Sequence, residues 1–141
     1  MPEILSFADA HAAARSNPGV TLFTVSIVTT DGQHVTRAYT SHQDVYPLDG
    51  LKPAGLVDPA AGTSYHPDRA TIERLFPEHE LILGLGGTAG INVSLLEDGA
   101  LIGAVNFFHD EAVYTAASVP VAEAIAERLR PAIVAYRAQH S

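Results

Sequence analysis

Apolar and polar residues alternate from Thr21 to Val28, and the segment is rich in β-branched side chains, so it reads as a strand. Asp31-Gly32 turns the chain, and His34 to Ser41 returns as a second strand. Ahead of this pair, Ser6 with Asp9 three residues later opens a capped helix from Phe7 to about Arg15, which Asn17-Pro18-Gly19 stops. A long irregular region follows from His42 to Pro67, punctuated by Pro47, Pro53, Pro59, Gly50, Gly55 and Gly62. Loops of that length in a compact domain are functional covers or mobile segments. A short helix from Asp68 to Phe76 comes next, ended by Pro77, and Leu81 to Leu83 reads as a short strand. Gly90 to Leu96 and Ala100 to Phe108 are two further strands. From Ser118, with Pro120 in its first turn, a last helix carries the apolar stripe Val121, Ile125, Leu129, Ile133 and Tyr136, and Pro131 inside it is expected to bend it or loosen its last turn. The order predicts an α+β fold, an antiparallel sheet with the terminal helices together on one face.

The pair of strands around Glu97-Asp98-Gly99 poses the main question, because each carries one amide, Asn92 and Asn106, among residues built for burial. A two-residue Asp-Gly loop pairs Glu97 with Ala100 and mixes polar and apolar residues on both faces. A three-residue loop with Gly99 left-handed pairs Leu96 with Ala100 and sorts the faces cleanly. Ile91, Val93, Leu95, Leu101, Val105 and Phe107 then face the helices, and Asn92, Ser94, Ala104, Asn106 and Phe108 face the other way. In that register the two asparagines lie diagonally, with Cα atoms about 7–8 Å apart. An amide left without a partner costs about 1–3 kcal/mol, so this face must meet loop backbone, a ligand, or both. In the first hairpin a two-residue Asp31-Gly32 loop sets Arg37 and Tyr39 on the same side as Thr24, Ser26 and Val28. The alternative register buries a guanidinium against Val25, which disfavours it.

Composition narrows the partners. The chain has 141 residues, enough for one domain spanning 1–141, and 47% hydrophobic against 17% charged residues describes a globular protein. Its formal charge of −8 repels phosphate backbones, so nucleic acid is not an expected partner. No apolar run is long enough for a membrane span and no export signal is visible, which predicts a cytoplasmic protein. The lack of cysteine excludes disulfides, thiolate zinc sites and cysteine nucleophiles.

Few residues then remain to carry chemistry. Arg37 and Lys52 can clamp an anion, the first as a planar fork and the second as a point charge, or pair with surface acids. Tyr39 and Tyr46 can wall a pocket and offer hydroxyls, or serve as core aromatics. His79, between Glu78 and Glu80, suits a general base, as does His42 in the loop cover; each can equally be a surface histidine. His66 shares the loop cover. His109-Asp110-Glu111 lacks the second ligand pair of a metal site. The glycines between Gly84 and Gly90 make a bend, because no helix follows to hold a phosphate. Ser41 and Ser94 have no nucleophile context.

With these residues placed, the chain resembles a GAF domain, the small ligand-binding fold of phosphodiesterases, phytochromes and many bacterial sensors. The similarity runs through Arg37–Ser41, Tyr46-Pro47 with Gly50–Lys52, His79–Ile82, Leu85-Gly86, Gly90–Val93 and Gly103–Asn106 in order. Together these stretches resemble the short stand-alone bacterial members. The resemblance implies a sheet of five or six antiparallel strands, with N- and C-terminal helices on one face. Over the other face, loops and a short helix would enclose a ligand pocket. It also fits a homodimer through the terminal helices. There is no Trp after the lysine and no Cys near Leu85-Gly86, so a cysteine-dependent methionine sulfoxide reductase or a bilin held through Cys is excluded. No cyclic-nucleotide motif is present.

Two functions follow. The favoured one is binding of a compact polar or anionic metabolite by Arg37, Tyr39, Tyr46, Lys52, Asn92, Ser94 and Asn106 beneath the 41–66 loops, with no cofactor or metal. The alternative is a small cofactor-independent isomerase, lyase or hydrolase with His79 or His42 as acid–base in the same pocket.

Overall fold

The computed structural model describes residues 6–42, 44, 62–76 and 78–139, together with the backbone of 52–53. Its elements are α1 (Phe7–Ser16), β1 (Leu22–Val28), β2 (His34–Thr40), β3 (Lys52–Pro53), β4 (Thr63–His66), α2 (Arg69–Leu75), α3 (His79–Gly84), β5 (Ala89–Glu97), β6 (Ala100–His109) and α4 (Ser118–Gln139). The strands form one antiparallel sheet in the order β3-β2-β1-β6-β5-β4. Ser6 caps α1 by accepting from the Asp9 N–H at 3.1 Å, as its spacing predicts. Asp68 caps α2 in the same way through Thr71. Residues 81–83 are helical, not extended as the sequence suggests. A two-turn segment after Pro77 buries Ile82 and leaves Leu81 exposed, a helical and not an alternating pattern. The irregular region before α2 contains a strand, β4, which pairs with β5 from Thr63↔Val93 to His66↔Gly90.

One face of the sheet carries α1 and α4. Phe23, Val25, Ile91, Val93, Val105 and Phe107 from the strands are sealed by Ala10 and Ala14 of α1 and by Ala122, Ile125, Ala126, Leu129 and Ile133 of α4. The small alanines let the helices approach the sheet, and α4 runs through Pro131 to Gln139. His11 fastens α1: its ring stacks parallel on Phe23 at 5.6 Å and shares a 2.9 Å hydrogen bond with the Tyr39 hydroxyl. On the opposite face a second, smaller core joins Leu22 and Phe108 to Ile72 of α2 and Ile82 of α3.

Both hairpins keep their two-residue registers near the turn and then gain one residue in the returning strand. In the β5–β6 hairpin Glu97 pairs with Ala100 across Asp98 and Gly99, whose φ values of 52° and 81° are those of a type I′ turn. The register then shifts between Leu95 and Leu96, so that Leu95 faces Gly103 and Asn92 faces Asn106. The expected three-residue loop is therefore corrected to a two-residue loop plus a β-bulge. Beyond the bulge the faces come out as expected, but Ile102 and not Leu101 enters the helix-side core, and the two asparagines are direct opposites and not diagonal. In the β1–β2 hairpin Val28↔Val35 and Ser26↔Arg37 match the expected register, and Asp31 closes a longer turn by accepting from Thr29 Oγ1 and the Gln33 N–H. A shift between Val25 and Ser26 then pairs Val25 with Tyr39. That extra residue sends Tyr39 to the helix face, against Phe7, His11 and Phe23. The expectation that Tyr39 shares the face of Arg37 is corrected: a bulge reverses the alternation beyond it.

Two predictions test this packing. A Cβ on Gly103 would stand 2.7 Å from the Ser26 carbonyl oxygen, a backbone atom that cannot step aside. Gly103→Ala is expected to lower unfolding free energy by about 1–3 kcal/mol in urea titration, and wild-type stability would contradict the register. For His11, burial is the main cause lowering its pKa from 6.5, followed by the charges of Arg15 and His42. The unfolded ring then binds a proton that the folded ring resists, so the contribution is complete above that value and lost as pH falls below it. Melting temperature is expected to drop from about pH 7.5 to about pH 5.5, with a shallower drop in His11→Phe.

Candidate functional site

The bulges align one row of polar side chains across the face opposite α1 and α4. Backbone pairing runs Ser64↔Asn92, Asn92↔Asn106, Thr24↔Asn106 and Thr24↔Thr40, so the row crosses β4, β5, β6, β1 and β2. His66, at the end of β4, joins it from the side. Its Nε2 lies 2.8 Å from Asn92 Oδ1; Asn92 Nδ2 donates to Asn106 Oδ1 at 2.8 Å; Asn106 Nδ2 donates to Thr24 Oγ1 at 3.0 Å. At about 4.8 Å per strand, the chain from His66 to Thr24 spans about 14 Å. Each amide spends one N–H and one lone pair within the row. Among the described residues, one N–H and one lone pair of each amide have no further partner.

The surroundings make this row a boundary. On one side stands the smaller core: Phe76 meets the His66 ring edge-on at 5.1 Å and Phe108 at 5.5 Å, forming a wall. On the other side the next residues along the strands are Ser94, Ala104 and Ser26, three small side chains, with Arg37 opposite Ser26. The Arg37 side chain is 10% exposed and forms an ion pair with Glu78 at 3.6 Å. The guanidinium thus enters this face with an acid already beside it. Burial lowers the pKa of His66, against the opposing effect of its bond to Asn92, so the ring favours its neutral form.

The structure brings together Asn92, Asn106, Ser94 and Arg37 from the residues singled out in the sequence. Tyr39 lies on the helix side. Tyr46 is outside the described residues, as is the Lys52 side chain, whose backbone pairs with Val35. His79 donates from Nδ1 to the Phe76 carbonyl at 2.8 Å and lines a separate cleft of about 420 Å³ with Arg69, Glu73 and Glu80. His42 Nδ1 shares a 2.8 Å hydrogen bond with the Ser41 hydroxyl, and its charge acts on His11 of α1. Neither joins the asparagine row. His66 does, and sequence could show it only as one of the histidines in an irregular stretch. The pairing of β4 with β5 singles it out. Thr24 likewise looks like one more β-branched strand residue until Asn106 is opposite it.

The remaining candidates have structural partners. His109 Nδ1 accepts from the Asp110 N–H, and Glu111 accepts from the Arg69 N–H. The glycine-rich stretch after α3 is a bend into β5, closed by Gly87 N–H to the Ile82 carbonyl at 3.0 Å. No helix among the described residues is long and apolar enough to cross a membrane.

No protein-family model and no curated protein matches the sequence. Solved structures do match in shape. A domain assigned to a two-component sensor histidine kinase of Sinorhizobium meliloti superposes with a TM-score of 0.67 at 17% identity, covering 95% of this chain and 92% of that one. The chromophore-binding domain of a bacteriophytochrome from R. palustris gives 0.62 at 16% identity; 94% of this chain spans 55% of that one, about half its length. Free methionine-R-sulfoxide reductase from Neisseria meningitidis, solved with its substrate, gives 0.58 at 20% identity, covering 94% and 78%. At these identities the likeness is one of fold. The chain has a GAF-like fold, an α+β domain with the terminal helices on one face of an antiparallel sheet.

Proposed function

We propose that the protein is a small-molecule-binding domain of the sensing kind, which holds a compact polar ligand on the sheet face opposite α1 and α4. The observation that carries this reading is the row His66–Asn92–Asn106–Thr24, whose two amides are half-buried, bonded to each other, and each left with one N–H and one lone pair. A purely structural pair of asparagines would spend its remaining capacity on backbone, and among the described residues no such bond reaches either side chain. Beside the row the strands carry only the small side chains of Ser94, Ala104 and Ser26, as a ligand lying over the row requires. Arg37, with Glu78 beside it, stands at one edge and favours a polar group there. The similar structures include a chromophore-binding domain and an enzyme solved with its substrate, which agrees with a ligand on this fold. Binding is favoured over turnover because neither His79 nor His42, the two candidate acid–base groups, is bonded into the row.

The test is a thermal-shift screen of the purified protein against small polar metabolites, followed by calorimetry of the best hit. Asn92→Leu and Asn106→Leu are expected to weaken that hit about tenfold or more, the loss of one or two hydrogen bonds, while keeping a cooperative unfolding transition. His79→Ala and His42→Ala are expected to bind it within about twofold of wild type, less than a single hydrogen bond is worth. Leucine variants that bind as tightly as wild type would contradict the proposal.

A further inference from the structure

His66 is 9% exposed, with its ring held edge-on by Phe76. Its Nε2 lies 2.8 Å from Asn92 Oδ1, and an amide oxygen only accepts, so Nε2 carries the proton. A neutral imidazole protonated there presents a bare lone pair at Nδ1. The described residues give Nδ1 no partner, and none of their buried side-chain nitrogens or oxygens lacks one. Nδ1 therefore opens onto accessible space.

The direction of donation runs the length of the row, from His66 through Asn92 and Asn106 to Thr24. The same atoms could be joined in reverse, with the Thr24 hydroxyl donating to Asn106 and the His66 proton moved to Nδ1. Both amides would have to turn and the ring change tautomer together, because a mixed row sets two donors or two lone pairs against each other. The forward direction uses the tautomer that is also the more stable one for a free histidine side chain. It needs no rearrangement if the ring gains a second proton.

We propose that His66 determines ligand specificity at the β4 end of the site: its Nδ1 accepts a hydrogen bond, so the site takes molecules that present a hydroxyl, an amide N–H or an ammonium there, and turns away a carboxylate. The inference rests on the ligand-binding reading above and adds the chemistry of one end of the ligand. A carboxylate at Nδ1 meets a lone pair. To receive it, the ring must either move its proton and reverse the whole row, or hold a second proton where burial favours the neutral form.

Nitrogen NMR of the intact, histidine-labelled protein reads which ring nitrogen of His66 is protonated. The expected result above about pH 7 is protonation at Nε2. Asn106→Leu touches neither ring nitrogen, yet it breaks the row and is expected to shift His66 toward a mixture of tautomers. Thr24→Val, which keeps the side-chain shape, is expected to do the same and serves if the first variant does not fold. Acetamide and acetate are probes of matched shape, of which only the first donates. Acetamide is expected to move the Nδ1 signal saturably, and acetate several-fold less. A ring protonated at Nδ1, acetate moving the signal as far as acetamide, or neither probe moving it would each overturn the proposal. The ligand-binding reading is judged separately by the affinity of the leucine variants at Asn92 and Asn106, so a failure at His66 leaves that reading standing and is told apart from its own failure.

Discussion

The 2.8 Å hydrogen bond between the side chains of Asn92 and Asn106 is the interaction on which this face of the protein depends. Two amides in neighbouring central strands are tolerable only if they satisfy each other, because each would otherwise carry an unpaired polar group beside a hydrophobic core. Direct opposition achieves this, and direct opposition is set by the backbone. The bulge in β6 sets Asn106 opposite Asn92, where the register of the turn alone would place Val105. One extra residue in a strand thereby determines whether this surface is a pair of isolated amides or a connected row.

The rest of the face is arranged around that row. β4 supplies His66 at one end and β1 supplies Thr24 at the other, so four strands share one set of hydrogen bonds. α2 and α3 cover the sheet only as far as Leu22 and Phe108, and Phe76 closes the smaller core at the line where the polar residues begin. Beyond it the side chains become small. The helix face shows the opposite design, a continuous apolar layer with His11 and Tyr39 as its polar fastening. One face is devoted to stability, which frees the other to carry polar groups with unspent hydrogen-bonding capacity.

Much of this was legible in the sequence, and the parts that were not have a common cause. The alternation Thr21–Val28, the capping residue Ser6, and the apolar stripe of the last helix identified elements because each is a local signal. The shared face of Asn92 and Asn106 was also legible, since only one parity separates polar from apolar residues. What alternation cannot reveal is a bulge. It cannot distinguish a three-residue loop from a two-residue loop with an extra residue further along, because both restore the same parity. For the same reason Tyr39 was assigned to the wrong face. His66 and Thr24 emerge only from strand pairing between residues 26 and 82 positions away from their partners, a long-range contact with no local signature. The short apolar run Leu81–Leu83 is the familiar case in which too few residues exist to separate a helix from a strand.

The central claim is that each asparagine commits one amide proton to the row and keeps the other for a ligand. Hydrogen exchange of the side-chain amide protons, followed by NMR on the ligand-free protein, measures this directly. The account predicts one slowly exchanging and one fast proton on both Asn92 and Asn106, with the fast pair slowing when a ligand binds. Equal, solvent-like exchange of both protons on either residue would contradict it.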